Sequence, residues 1–300
     1  AVGELLQAPT LEAMARAIEG RGSAVRWPLV ALQTFGDRPP LFLAHPAGGH
    51  VVCYRGLAAL LSHQVPLYGL QPRGAEDGGT PIERIEEMAA LYVEAIVGMR
   101  PHGPYRLGGW SFGGVLAWEM AQQLRAMDRT VDLLTMFDTA PLTPEAVSYD
   151  PGDPAAVVWH TVAGIAGFAA ASRVDVESLR GLEPRAQALA MIRGLQLPQL
   201  LDDSRVDHVL ALTAVRAANL RAQAAYRPHP YAGRITYFRT AGSETVFGRS
   251  PGQEFWSALA LGGTDAHRVE GTHGTLLIEP YVQEIAAALL AATDPGLQRS

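Results

Sequence analysis

The chain predicts an α/β fold: a mostly parallel sheet with helices on both faces and a large helical insertion. Three observations carry this. Short apolar runs alternate with amphipathic helical patterns from Leu29 onward, as a sheet built from crossover units requires. The alternation stops between about residue 141 and residue 230, where helical patterns continue without a convincing strand. Finally, 300 residues at 48% hydrophobic composition suit one large domain, with or without a subdomain set into it.

Residues 1 to about 25 stand apart from this pattern. Leu11, Met14, Ala15 and Ile18 mark one short helix behind Thr10 as N-cap, and the linker composition Gly20-Arg21-Gly22-Ser23 follows. One short helix cannot bury a core, so the segment is expected to be the tail of a preceding domain, with the main domain over 26–300. Strands are predicted at 29–34, 41–44, 66–70, 105–109, 131–137, 234–240 and 267–270. Helices are predicted at about 54–62, 82–99, 113–127 and 280–292. The second of these has Thr80 as N-cap, Pro81 at the first helical position and Glu83 completing a capping box. In the insertion, helical patterns cover 154–172, 176–195 and 205–226. Pro141, Pro144, Pro151 and Pro154 mark its entry, and Pro228 and Pro230 its exit. An insertion of this size between two strands is expected to be a helical lid over the site, about 141–230.

Composition removes whole classes of function. A net charge of −6 and the lack of any basic run argue against a nucleic-acid partner. All 24 cationic residues are arginine, which excludes a Schiff-base lysine, a pyridoxal-phosphate anchor and the P-loop lysine together. Cys53 is the one cysteine, which rules out an internal disulfide; it is expected to be a buried structural thiol. No Cys/His cluster has metal-ligand spacing, so no metal is expected. The uncharged run 154–172 is long enough on paper to span a bilayer, but Pro154 heads it and His160, Thr161, Gly164 and Gly167 interrupt it. It is read as an apolar lid helix, with no membrane partner. No secretory signal pattern is present, and a cytoplasmic, monomeric domain is expected.

The chemistry is carried by Gly109-Trp110-Ser111-Phe112-Gly113, between an apolar run and a helical pattern. A serine in this spacing between strand and helix reads as a nucleophile elbow: a turn too tight for Cβ atoms two residues either side, holding the hydroxyl at a helix N-terminus. The serine needs a base and the base an orienting carboxylate, in the chain order Ser, acid, His of the α/β-hydrolase fold. Among the histidines after the elbow, His160 and His208 fall in the insertion and His267 in a strand. His273, in the Gly271-Thr272-His273-Gly274 loop, is favoured as base over His229. Asp138, ending the strand after the nucleophile's helix, is favoured as acid over Glu244, which follows the next strand. One oxyanion amide is expected from Phe112 and a second from the glycine-bearing loop His45–His50. His45 and His50 are read as local hydrogen-bonding groups.

With these residues identified, the chain resembles the terminal thioesterase domains of nonribosomal peptide synthetases, from about residue 27 to 293. The resemblance rests on His45-Pro46-Ala47-Gly48-Gly49, on Tyr68-Gly69-Leu70-Gln71-Pro72-Arg73-Gly74, and on the run Gly103 to Gly114. Phe137-Asp138-Thr139 and Gly271-Thr272-His273 complete it. It implies that Ala47 supplies the second oxyanion amide, and it supports Asp138 over Glu244. The tail Leu5-Leu6-Gln7-Ala8-Pro9-Thr10-Leu11-Glu12 looks like the end of a peptidyl carrier domain, whose phosphopantetheine-bearing serine would lie upstream. The resemblance therefore implies a carrier partner, no cofactor held by the chain itself, and release of a carrier-bound peptide or depsipeptide through a Ser111 ester. Macrocyclisation, with or without joining of shorter units, is favoured over hydrolysis to a linear acid. An editing thioesterase and a non-catalytic binding domain of the same fold are the other readings.

Overall fold

The computed structural model describes residues 27–140, 149–150, 152–166, 168–242 and 251–294. Its sheet is built from β1 (Leu29–Gln33), β2 (Leu41–Ala44), β3 (Leu67–Leu70), β4 (Tyr105–Trp110), β5 (Val131–Phe137), β6 (Ile235–Thr240) and β7 (Thr264–Val269). The spatial order is β1-β3-β2-β4-β5-β6-β7, with β1 antiparallel to β3 and the other pairs parallel. The helices are α1 (Arg55–Leu60), α2 (Ile85–Met99), α3 (Phe112–Ala126), α4 (Pro154–Ala166), α5 (Phe168–Ala171), α6 (Pro184–Gly194), α7 (Asp203–Ala225), α8 (Pro251–Leu259) and α9 (Val282–Ala292). The strand order reverses next to β2 and β4, so the loops after these strands open at one crevice on the carboxyl edge. This mostly parallel sheet with helices on both faces is the α/β-hydrolase-like architecture expected from the sequence.

Side-chain alternation along the strands divides two cores. Leu29, Ala31, Phe42 and Ala44 pack with α2, α3 and α8, whereas Val30, Leu41 and Leu43 pack with α1 and α9. Continuous apolar strands such as Leu41–Ala44 are what a sheet buried on both faces needs. The insertion has a core of its own. Val158 and Val162 of α4, Met191 and Ile192 of α6, and Val206 and Val209 of α7 are its centre. Helix α7 runs from that core to the main one: Leu212 and Val215 pack with Ala75, and Ala222 joins the α2/α3 core. Asp202 caps its start by accepting from Arg205 N at 3.0 Å.

Several elements differ from their sequence-based expectation. Helix α2 begins at Ile85, behind an extended Arg84, and makes no side-chain cap. Pro81 instead packs against Gly74, where a Cβ would meet its Cγ at 2.9 Å, so the expected capping box at Thr80 is spent on loop packing. Helix α8 was not expected. Its apolar content is little more than Phe255, Trp256 and Leu259, yet Trp256 is fully buried with its ring 5.0 Å from that of Trp118. Strand β7 starts at Thr264, earlier than expected, because as an edge strand it leaves Asp265 and Ala266 exposed and so hides its period. The run 154–172 forms two helical pieces, α4 and α5, and 176–195 a 3₁₀ turn (Val176–Leu179) followed by α6. No helix among the described residues is long and apolar enough to cross a membrane. The tail 1–25, Pro141, Pro144, Pro151 and the alternative acid Glu244 lie outside the described residues.

Candidate active site

Ser111 stands between β4 and α3 with φ 57° and ψ −121°, a left-handed conformation that costs a non-glycine residue roughly 1–3 kcal/mol. Close contact rather than φ fixes the flanking glycines. A Cβ on Gly109 would lie 2.2 Å from Gly113 C, and one on Gly113 would lie 2.3 Å from Ala44 O. The elbow is thereby wedged between its own helix and the end of β2. On the other side, a Cβ on Gly114 would meet Thr139 Oγ1 at 2.0 Å, so α3 also presses on the turn after β5. Phe112 is the first residue of α3, and helix geometry leaves its N–H without an intrahelical acceptor.

That turn after β5 carries Asp138, itself at φ 44° and with its N–H bonded to Phe238 O at 2.7 Å. Its carboxylate is buried and accepts three hydrogen bonds. Thr240 N donates to Oδ1 at 3.2 Å, while Thr240 Oγ1 at 3.0 Å and His273 Nδ1 at 2.8 Å donate to Oδ2. Burial alone would raise its pKa, but the His273 hydrogen bond and charge and the two Thr240 bonds outweigh burial and lower it. An ionised carboxylate only accepts, so His273 Nδ1 holds the proton and, in the neutral ring, Nε2 keeps its lone pair. The His273 loop is tied down at both ends. Gly242 N donates to Gly271 O at 2.9 Å, and Thr272 N donates to Thr275 Oγ1 at 2.9 Å. The indole of Trp110, next to Ser111 in the chain, packs on the His273 ring at 5.1 Å, so the Ser111 turn and the His273 loop meet at the sheet edge.

The loop after β2 turns on a Gly49 N to Pro46 O hydrogen bond of 2.8 Å, with Gly49 at φ 84°. His45 is fully buried: Nδ1–H donates to Pro46 O at 2.9 Å and Nε2 accepts from Tyr92 Oη at 2.9 Å. Burial lowers its pKa to about 4, so it is a neutral structural group, as expected. His50 bonds Gly48 O at 3.1 Å. Burial holds the Cys53 thiol well above its ordinary range, far from a thiolate nucleophile. Among the other histidines, the His229 carbonyl accepts from Trp118 and Gln122, His267 stacks on Phe238, and His160 stacks on Tyr149. Among the described residues no group of His, Cys, Asp and Glu is arranged to hold a metal. A cavity of about 660 Å³ lies inside the insertion, lined by Tyr149, Trp159 and His160 rather than by Ser111.

Two positioning groups escaped the sequence reading. Tyr54 Oη donates to Ala44 O at 2.6 Å and accepts from Trp110 N at 2.8 Å, bridging the end of β2 and the turn that carries Ser111. Asn219 of α7, 1% exposed, donates to Ala47 O at 3.0 Å and so ties the insertion to the same loop. A polar residue on the apolar stripe of α7, four residues after Val215, is the signal that would have found Asn219.

A family model, described as a thioesterase domain, matches residues 39–292. The chain belongs to the thioesterase family. It is an enzyme of the serine-hydrolase type. A dimodular nonribosomal peptide synthase of Bacillus subtilis (strain 168) is 34% identical over 244 residues, which is 80% of this chain and 10% of that one. The nonribosomal peptide synthetase btyA of Aspergillus terreus is 28% identical over 303 residues, 97% of this chain and 32% of that one. The chain thus spans a tenth to a third of these curated relatives. Among solved structures, a four-domain nonribosomal peptide synthetase bound to AMP and glycine superposes with a TM-score of 0.79 at 27% identity, over 97% of this thioesterase and 22% of the synthetase. The NocB thioesterase domain, in covalent complex with a fluorophosphonate nocardicin G analog, gives 0.60 at 29% identity over 86% of this chain and 95% of that one.

Proposed function

We propose that this thioesterase domain releases a peptide or depsipeptide from the phosphopantetheine thioester of an upstream carrier domain, through an ester on Ser111. The observation that carries the reading is the 2.8 Å bond between His273 Nδ1 and the buried Asp138 carboxylate, beside the strained Ser111. His273 Nε2 takes the Ser111 proton as Oγ attacks the thioester carbonyl carbon. The amides of Phe112 and Ala47 stabilise the resulting oxyanion, a donor of this kind contributing about 10²–10³ in rate. The C–S bond then breaks, and His273 returns the proton to the departing sulfur. In the second half His273 deprotonates the incoming nucleophile, the ester C–O bond breaks, and Ser111 recovers its proton.

For the second nucleophile we favour the substrate's own terminus, giving a macrocycle, with shorter units joined first where the product requires it. Support comes from the insertion, which stands on the oxyanion loop through Asn219 and through Val215, whose Cγ1 lies 2.8 Å from where a Gly49 Cβ would be. Cover of that kind excludes water from the ester. The apolar run 154–172 supports it less directly than its composition suggests, because Val158 and Val162 are consumed by the insertion's own core. Supplying a peptidyl thioester and weighing the product tests both levels: a macrocycle is lighter than the linear acid by one water. An editing enzyme would instead prefer short acyl groups over the full peptide, and a binding domain would not react with a fluorophosphonate at all.

A further inference from the structure

Arg216 lies on α7 where the insertion meets the oxyanion loop. Its Nη2 would be 3.0 Å from a Cβ on Gly48 and 3.3 Å from one on Gly164 of α4, so two glycines make the room in which the guanidinium lies. Its Nη1 reaches Tyr149 Oη at 3.5 Å, and its Nε is buried with no hydrogen-bond partner among the described residues. No ion pair to a carboxylate is formed by Arg216 among the described residues, unlike Arg185, Arg205 and Arg221 on the same insertion. His50 faces it across Gly48, and burial, with Arg216 itself contributing, lowers the pKa of His50 and takes that of His160 to about 4. Arg216 is therefore a permanent cation that disfavours the charged form of the imidazoles His50 and His160 beside it. An arginine half removed from water without a counter-charge is costly unless something else supplies the oxygen atoms. Its planar fork matches a carboxylate or phosphate with two parallel bonds.

We infer that Arg216 is an anion-recognition group of the substrate cleft and that it receives a carboxylate carried by the acyl chain near its thioester end. Position selects the acyl chain over the carrier arm, which offers the same chemistry in its phosphate. Gly48 directly follows Ala47, whose amide is proposed to face the reacting carbonyl, and one extended residue spans roughly 3.3–3.6 Å. The guanidinium is thus within the first few acyl residues, whereas a pantetheine arm holds its phosphate two amide units beyond the sulfur. The inference rests on the thioesterase reading for the identity of the substrate, and the binding arm of its test is independent of Ser111 chemistry.

The test uses pairs of peptidyl N-acetylcysteamine thioesters, which lack phosphate, with glutamate or glutamine at each of the last three acyl positions. Binding to Ser111→Ala is read by calorimetry, and kcat/KM is read on the chain with Ser111 intact. At one position the glutamate member should bind about tenfold or more tightly, the ordinary scale for a charge-assisted hydrogen bond. Arg216→Gln should abolish that acid-to-amide ratio and Arg216→Lys should retain part of it; using the ratio within each variant cancels any general loss of fold or activity. A wild-type ratio near one at all three positions, or a ratio that survives Arg216→Gln, overturns the inference. So does an Arg216-dependent preference for phosphopantetheine over pantetheine thioesters of one acyl group, which would assign the site to the carrier arm. If Ser111 forms no ester but the Arg216-dependent ratio persists in binding, the acyl-enzyme reading fails and this one stands.

Discussion

At the residue scale, the proposed site is two strained backbones held by shape. Ser111 and Asp138 both lie at positive φ, and the contacts of Gly109, Gly113 and Gly114 over-determine the turns that carry them. Ser111→Ala should leave the fold intact and abolish covalent adducts with a peptidyl thioester; an adduct on the alanine variant, seen by intact mass, would overturn the nucleophile assignment. Asp138→Asn should slow acylation by about 10⁴, because the amide no longer fixes the His273 tautomer. Glu244→Gln should be nearly silent, and the reverse pattern would move the acid to Glu244. The same aspartate makes a stability prediction. Its folded pKa lies below the ordinary value, so its bonds to His273 and Thr240 stabilise the fold above the unfolded pKa of about 4. That contribution is lost as pH falls through the lower folded value. Urea unfolding between pH 5 and pH 2 should therefore show a shallower acid limb for Asp138→Asn than for wild type, and parallel limbs would contradict the assigned shift.

At the scale of elements, three contacts hold the loop after β2, the proposed oxyanion loop, in place beside the Ser111 turn. Tyr54 bridges them by two hydrogen bonds, Gly113 touches Ala44 O, and Asn219 fixes Ala47 O from the lid side. Tyr54→Phe removes a buried donor and acceptor at once and leaves Trp110 N without its partner. It should lower stability by about 1–3 kcal/mol and also slow fluorophosphonate inactivation. Asn219→Ala should slow inactivation with a smaller stability loss, because only one carbonyl is orphaned. Unchanged inactivation rates in both variants, with stability reduced, would make the two residues structural and nothing more.

At the scale of the molecule, the insertion folds on its own core and reaches the sheet domain along α7. That arrangement separates what holds the insertion together from the residues proposed to perform acylation. Ile192 of α6 is fully buried and belongs to the insertion's own core rather than to the cores of the sheet domain. Ile192→Ala should cost about 2–5 kcal/mol in the insertion and shift the product mixture toward linear acid, with acylation little changed. A product ratio equal to wild type would show that lid integrity does not govern the choice of nucleophile.

By itself the sequence determined the alternation of the sheet, the elbow at Ser111, the candidate partners Asp138 and His273, and the insertion as a helical unit. These are local signals: strand runs of one or two faces, glycines that a tight turn demands, and polar residues at the carboxyl ends of strands. It did not show the start of α2, where packing of Pro81 on Gly74 outweighed a capping motif, nor α8, whose one fully buried large side chain is Trp256. Only the tertiary structure decided which distant groups meet. Thr240 on Asp138, Tyr54 between Ala44 and Trp110, Asn219 on Ala47 and Arg216 beside Gly48 are each brought together by packing of elements far apart in the chain. No periodicity encodes such meetings, because a hydrogen bond of about 3 Å depends on where two helices or loops come to rest, and that is set by the sum of all their contacts.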